Sequence, residues 1–135
     1  MTFADTSGLY ALLDRDDQNH AAAKRCWLRL MDREEPLLTT NYVLVETCAL
    51  AQRRLGIEAV RAIEDDLIPV LRVEWIGKDA HTLAVNALLT ARRKTLSLVD
   101  CVSFLTMRRA GVRAAFAFDR HFREEGFPFP RWGDA

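Results

Sequence analysis

Short apolar segments alternate with longer helix-like segments along this chain, and this alternation limits the possible folds more than any other feature. Strand-like segments are predicted at residues 1–5, 37–40, 71–76 and 114–118, with a further short strand expected at Phe127–Phe129. The segments between the first four carry apolar residues at helical spacing. Such alternation favours a parallel sheet covered by helices on both faces, so we predict a three-layer α/β/α sandwich.

Residues that begin and end helices bound the helical segments. Thr6 or Ser7 is expected to cap the first helix, and Asn41 the third. Ser97 is expected to cap the last long helix, which stops at Gly111. The predicted helices contain Tyr10 to Leu13, Ala23 to Met31, Tyr42 to about Arg54, Ile57 to Leu67, Asp79 to Ala91 (with Leu83, Ala84, Ala87, Leu88 and Ala91 on one face) and Ser97 to Ala110.

The composition indicates a folded domain without a membrane segment. Half of the residues are hydrophobic, yet no apolar run approaches the roughly 18 residues that span a bilayer. An acid as early as Asp5 leaves no room for a signal-peptide apolar region. Three separated cysteines, Cys26, Cys48 and Cys101, form neither a disulfide framework nor a zinc motif. We therefore expect one domain over residues 1–135, in the cytoplasm.

Four acidic residues occur in apolar surroundings, whereas most other acids have polar neighbours. Asp5 and Asp119 end predicted strands, and Glu46 shares a helix face with apolar side chains. Asp100 interrupts the apolar segment LSLVDCVSFL in the first turn of its helix. Burying an unpaired carboxylate costs several kcal/mol. The carboxyl ends of parallel strands form the ligand-binding edge of such sheets, so we expect the four acids near that edge.

Each acid also has a purely structural explanation. Asp5 could cap a helix, Asp100 could favour a helix dipole, and Asp119 could be a turn residue. Glu46 could pair with an arginine two turns along its helix. One explanation covers all four residues: a hard divalent cation bound by oxygen ligands, which suits Mg²⁺ or Mn²⁺. Such a cation would also relieve the repulsion among the carboxylates.

Basic residues are concentrated in the C-terminal third of the chain, on either side of Asp100 and Asp119. Residues 92–123 contain eight basic and only two acidic residues, although the whole chain has a formal net charge of zero. A solvated surface is one explanation, and a phosphate-binding surface is the other. Arg92, Arg93 and Lys94 precede Asp100 by a few residues, and Arg120 follows Asp119, so these four are the candidate phosphate contacts.

His20 and His81 show no ligand spacing, and we expect them to lie on the surface or line a partner interface. His121 lies beside Asp119, so it either neighbours the site or has a packing role, and packing is the favoured explanation. Trp27 is expected in the core.

Four segments carry a resemblance to a known family: FADTSGLYALL, TTNYVLVETCALAQRRLG, LSLVDCVSFLTMRRAG and AFAFDRHF. In this order they resemble the PIN-domain family, and more narrowly its VapC-type toxins, over essentially the whole chain. The resemblance implies a metal-dependent endoribonuclease with a PIN fold. It also implies that the invariant acids are Asp5, Glu46 and Asp100, that Asp119 matches a more variable fourth acid, and that Thr6 or Ser7 supplies a supporting hydroxyl.

Further expectations follow from the same resemblance. They are an RNA substrate, an antitoxin protein that silences the nuclease, a homodimer, and Mg²⁺ or Mn²⁺ held by the four acids. Three alternatives remain open from the sequence. They are a PIN nuclease of RNA maturation, a non-catalytic binding module, and a phosphoryl-transfer enzyme with Asp5 as nucleophile. The last is disfavoured because Ser7 occupies the position where such hydrolases commonly carry a second aspartate.

Overall fold

A four-stranded parallel sheet forms the centre of the protein. In the computed structural model, which describes residues 1–132, the strand order is β3-β2-β1-β4. The order reverses at β1, since β2 and β3 extend to one side of it and β4 pairs on the other. All residues of β1 and β2 are buried, as expected for central strands. The strands are β1 (Thr2–Ala4), β2 (Leu37–Thr40), β3 (Leu71–Glu74) and β4 (Ala114–Phe116).

Seven α-helices flank this sheet within the described residues. On one face, Phe3 of β1 stacks on Phe122, which also contacts Phe104. On the other face, Phe116 of β4 packs against Trp27. The expected three-layer α/β/α architecture is therefore confirmed. The helices are α1 (Thr6–Leu13), α2 (His20–Asp32), α3 (Asn41–Leu55), α4 (Ile57–Ala62), α5 (Lys78–Ala91), α6 (Leu98–Ala110) and α7 (Arg120–Glu124).

The chain between α4 and β3 forms two irregular helical turns, first a wider one and then a tighter one. A π-helical turn at Ile63–Leu67 continues α4, and a 3-10 turn at Ile68–Val70 follows it. Ile63 and Leu67 are the buried residues of the π turn, as the predicted apolar spacing required. None of the helices in residues 1–132 has both the length and the apolar character of a membrane span.

Two of the three predicted helix caps are wrong. The cap of α1 is Asp5, whose side chain accepts a hydrogen bond from the Ser7 amide. The cap of α3 is Thr40, because its hydroxyl already accepts from the helix. Asn41 instead accepts from the Ile76 amide at 2.7 Å and so ties the start of α3 to the end of β3. The Ser97 cap of α6 and the stop at Gly111 are confirmed.

The predicted strand at Phe127–Phe129 is wrong, because prolines on either side of Phe129 lack the amide donors of a ladder. The Pro128 carbonyl still accepts from the Ala115 amide at 2.9 Å, which protects the β4 edge. Trp27, expected in the core, is half-buried and packs against the core cluster.

The predicted helix α5 is present, and Ala84 and Leu88 of its apolar face contact the core. Only Ala84 is buried, and Leu83 is 48% exposed. This helix lies at the periphery and contributes a narrow contact surface to the core.

Gly8 is the position where helix α1 approaches the sheet most closely. A Cβ atom there would lie 2.2 Å from the Phe116 carbonyl oxygen and 2.7 Å from its ring. The oxygen belongs to the backbone of β4, so a side chain at position 8 requires α1 to move away from the sheet.

We expect Gly8→Ala to lower the free energy of unfolding by about 2 kcal/mol, as overpacked cores do. Urea denaturation measures this loss. The control is Gly77→Ala, since no atom lies within 4 Å of a Cβ at that position. Its expected loss is below about 1 kcal/mol, the cost of alanine at a helix cap. Equal losses in the two variants would contradict the close approach of α1 to β4.

Candidate metal centre

Asp5 lies at the carboxyl end of β1, beside the strand-order reversal, and is 3% exposed. Its Oδ2 accepts from the Ser7 amide at 3.1 Å and from the Ser7 hydroxyl at 2.7 Å. The Ser7 hydroxyl oxygen in turn accepts from the amides of Phe118 and Asp119, at 2.9 and 3.2 Å. Ser7 therefore joins the ends of β1 and β4, so that the two aspartates lie at the same point of the sheet edge.

Asp100 occupies the first turn of α6 and is 6% exposed. It forms a reciprocal capping box with Ser97: the Asp100 amide donates to the Ser97 hydroxyl at 3.0 Å, and the Ser97 amide donates to Asp100 Oδ2 at 3.1 Å. This pair of hydrogen bonds fixes the carboxylate at the N-terminal end of the helix.

Asp119 follows β4 and caps α7. Its Oδ1 accepts from the His121 amide at 2.9 Å and lies 2.6 Å from His121 Nδ1. The same imidazole nitrogen is 3.8 Å from Asp100 Oδ2. One carboxylate oxygen each of Asp100 and Asp119 and one ring nitrogen of His121 all lie within 4.8 Å of one another.

The three aspartates share one arrangement of their oxygens. Asp5 and Asp100 use Oδ2, and Asp119 uses Oδ1, to accept hydrogen bonds at the start of a helix. Among residues 1–132, no hydrogen-bond donor contacts the other oxygen of any of them. Each carboxylate thus stabilises a helix with one oxygen and has a second oxygen available for a ligand. The structural and functional explanations of these acids are therefore compatible.

Glu46 differs from the aspartates because it lies in the middle of α3 rather than at a helix end. It is half-buried, and the charges of Asp100 and Asp119 act on it. Of the arginines two turns along the helix, Arg54 lies over the Tyr10 ring instead. Within the described residues neither arginine forms an ion pair with Glu46, so that structural explanation is wrong.

Burial raises the pKa values of the acids in this cluster. Desolvation raises the pKa of Asp5 from an ordinary 3.8 to about 7, despite the opposing effect of the Ser7 hydrogen bonds. Burial also raises the pKa of Glu46, partly offset by the Thr6 hydroxyl, and the pKa of Asp100. Coulombic repulsion from Asp119 adds to both shifts. No lysine or arginine in residues 1–132 forms a salt bridge with any of the four acids.

The donor set fits a hard divalent cation. Carboxylate oxygens are the ligands that Mg²⁺ and Mn²⁺ prefer, and in three of these carboxylates one oxygen has no hydrogen-bond donor within residues 1–132. Buried acids without a cationic partner repel one another, and a bound cation would remove that repulsion.

Comparison with known proteins identifies the family. A family model described as "PIN domain" matches residues 2–127. The chain belongs to the PIN-domain family. A protein named 23S rRNA-specific endonuclease VapC20, from Mycobacterium tuberculosis strains CDC 1551 / Oshkosh and H37Rv, is 38% identical over 128 residues. That match covers 94% of this chain and 95% of the relative.

A solved structure agrees with this result. The crystal structure of Mycobacterium tuberculosis VapC20, described as a sarcin-ricin loop cleaving toxin, superposes with a TM-score of 0.86 at 36% sequence identity. The superposition covers 97% of this chain and 99% of the VapC20 chain. The resemblance inferred from the sequence, to PIN domains and to VapC-type toxins, is confirmed.

The basic residues near the PIN acids are not equivalent. Arg93 pairs with Glu124 at 2.7 Å, and Arg120 lies 3.8 Å from the same glutamate. Arg92 and Lys94 are exposed and form no salt bridge within residues 1–132. The positive charge available to a ligand is therefore smaller than the sequence count indicates.

His121 neighbours this site as well as packing in the interior, where it is 5% exposed, although packing alone was the favoured expectation. The sequence signal was its position two residues after Asp119, where a short helix turns the ring back towards the acid. The other histidines lie elsewhere: His20 Nδ1 is 2.8 Å from the Ala11 carbonyl, and His81 hydrogen-bonds to Tyr42.

We expect the metal-free protein to lose stability as the pH rises from about 4 to about 7. The folded state retains the Asp5 proton in this range, whereas the unfolded chain has released it, so stability falls with rising pH. The melting temperature in chelator should be at least about 5 °C lower at about pH 8 than at about pH 5. Mn²⁺ should recover much of this difference.

Asp5→Asn is the matched variant, because asparagine also caps helices well. Its melting temperature should vary less with pH than that of the unchanged protein. The same pH dependence in both proteins would show that Asp5 is not the titrating group.

Proposed function

We propose that this protein is a metal-dependent endoribonuclease and the toxin of a type II toxin–antitoxin pair. The observation that carries the proposal is the cluster of the buried Asp5 and Asp100 with the partly buried Glu46 and Asp119, in a PIN domain 38% identical to a 23S rRNA-specific endonuclease. We take residues 1–135 as one nuclease domain. Its proposed location is the cytoplasm, where ribosomal RNA is accessible.

The four acids hold Mg²⁺ or Mn²⁺ in this proposal. When bound, the cation supplies Lewis-acid stabilisation of phosphate charge and activates water for attack on phosphorus. Asp5 and Asp100 would be rigid ligands, since Ser7 and Ser97 fix one oxygen of each. Glu46 and Asp119 would complete the site or orient water. The expected product ends are 5′-phosphate and 3′-hydroxyl.

Two hydroxyl residues support the acids. Ser7 holds Asp5 and the chain after β4 together through its bridging hydroxyl. Thr6 accepts a hydrogen bond from Thr47 at 3.0 Å and lies beside Glu46, so that it links α1 to α3. Neither residue serves as a nucleophile in this mechanism.

A structured RNA with an exposed loop is the proposed substrate. Sequence-specific recognition of RNA generally uses unpaired bases in loops, and the VapC20 structure is described as that of a sarcin-ricin loop cleaving toxin. Arg92, Arg93, Lys94 and Arg120 are the proposed backbone contacts. Arg92 and Lys94 are the stronger candidates because no acid pairs with them in the described structure.

The proposed protein partners are a cognate antitoxin and a second copy of the chain. Both follow from membership of the VapC-type group rather than from a particular contact. Among the alternatives, an RNA-maturation nuclease would use the same chemistry. A non-catalytic binding module is disfavoured because all four acids are present and clustered.

RNA cleavage tests the proposal directly. The protein should cleave ribosomal RNA with Mg²⁺ or Mn²⁺ and lose this activity in chelator. We expect Asp100→Asn to reduce the cleavage rate at least about 100-fold. The metal would lose a carboxylate ligand, and the charge on the phosphate would be stabilised less. Asp79→Asn, at an exposed acid in the first turn of α5, is the matched control and should be unchanged.

Two results would overturn the assignment. Cleavage at the unchanged rate by Asp100→Asn would exclude this residue from the site. Cleavage that persists in chelator and leaves 2′,3′-cyclic phosphate ends would indicate a metal-free mechanism that uses the ribose hydroxyl.

The basic turn is tested with a double variant. Arg92→Gln with Lys94→Gln should raise KM for RNA several-fold and leave kcat nearly unchanged. The slope of log KM against log salt concentration should fall by about 2, one for each lost phosphate contact. Lys24→Gln with Arg61→Gln, both on exposed helix surfaces, is the charge-matched control. The proposal for this turn fails if the two double variants behave alike.

A further inference from the structure

His121 connects the acidic cluster to the basic turn. Its Nδ1 lies 2.6 Å from Asp119 Oδ1, and its Nε2 lies 3.1 Å from the Thr95 hydroxyl. Thr95 belongs to the turn that carries Arg92, Arg93 and Lys94. The imidazole is 5% exposed, so both ring nitrogens interact with protein groups rather than with bulk water.

The partners of the ring define its hydrogen-bond directions. An ionised Asp119 carboxylate can only accept, so Nδ1 carries the proton and donates to Oδ1. In the neutral imidazole Nε2 then has a lone pair and accepts from the Thr95 hydroxyl. The resulting chain runs from Thr95 through His121 to Asp119. Asp119 Oδ1 thus accepts two hydrogen bonds, one from the His121 amide and one from its ring. Asp119 Oδ2 remains available for another ligand.

A second contact joins the same two segments. Arg93 of the turn pairs with Glu124 at the end of α7, at 2.7 Å. This pair is exposed and contributes little by itself. The Thr95–His121–Asp119 chain, whose central imidazole is buried, is the contact that joins the turn directly to the carboxylate.

We propose that His121 is a positioning residue that orients Asp119 for the cation, and that Thr95 orients His121. This inference rests on the proposed nuclease function. Carboxylates that contact a metal are commonly held by such hydrogen-bonded neighbours, whose loss weakens metal binding about 10–100-fold. His121 is not itself a ligand here, because its Nδ1 is engaged by Asp119 and its Nε2 by Thr95.

Two substitutions separate the two contacts of the ring. Asparagine places an amide nitrogen near the position of Nδ1, so His121→Asn retains the donor to Asp119 and loses Thr95. Glutamine places its amide near the position of Nε2, so His121→Gln retains the hydrogen bond to the Thr95 hydroxyl and loses the donor to Asp119. Thr95→Val removes only the hydroxyl, at an exposed position that tolerates the change.

Mn²⁺ affinity of the RNA-free protein is the primary measurement, by electron paramagnetic resonance of the free ion. His121→Gln should bind Mn²⁺ about 10-fold or more weakly than the unchanged protein. His121→Asn and Thr95→Val should each bind Mn²⁺ about 3-fold more weakly. In RNA cleavage at saturating substrate, the Mn²⁺ concentration for half-maximal rate should rise in the same order, with KM for RNA little changed.

Several outcomes would overturn the inference. They are unchanged Mn²⁺ affinity in His121→Gln, equal losses in the asparagine and glutamine variants, or a directly coordinated nitrogen in the electron spin-echo spectrum of bound Mn²⁺. If neither His121 variant folds, Thr95→Val becomes the deciding variant. An unchanged Mn²⁺ affinity in Thr95→Val would then contradict the inference. Failure of the nuclease function itself is distinguishable, because the unchanged protein would then bind Mn²⁺ without cleaving RNA.

Discussion

The acidic site depends on one interaction that is repeated three times: a carboxylate that accepts hydrogen bonds at the N-terminus of a helix. Asp5, Asp100 and Asp119 each satisfy amide donors that α1, α6 and α7 would otherwise leave unpaired. Interactions of this kind contribute up to about 2 kcal/mol each when partly buried. They do not fully offset the desolvation of Asp5, since its pKa still rises to about 7. The cation proposed above would supply further stabilisation by relieving the repulsion among these acids.

The sheet topology explains why these helix starts meet. Strand order reverses at β1, so β1 and β4 are neighbours although more than a hundred residues separate them. Ligands of open α/β sheets bind outside the carboxyl ends of the strands at such a reversal. Ser7 connects the two strand ends through one hydroxyl, and α6 brings Asp100 to the same place. The short loops after the strands leave the carboxylates little freedom to move away.

The sequence predicted the layers of the fold and the proximity of the four acids, because strand ends and helix starts are visible as local patterns. It did not predict contacts between distant segments. The bridging role of Ser7 requires the pairing of β1 with β4, and the role of His121 requires the fold of the turn at Thr95. The exposure of Leu83 depends on how α5 packs, which helical spacing does not determine. Partial neutralisation of the basic stretch by Glu124 is likewise a tertiary contact.

The central claim is that each aspartate stabilises a helix with one oxygen and binds the cation with the other. Anomalous X-ray diffraction from crystals grown with Mn²⁺ tests it most directly. The account predicts a metal peak bounded by Oδ1 of Asp5 and Asp100 and by Oδ2 of Asp119, in direct or water-mediated contact. The hydrogen bonds to Ser7, Ser97 and His121 should remain. A metal bound by the capping oxygens, or located away from these residues, would contradict the account.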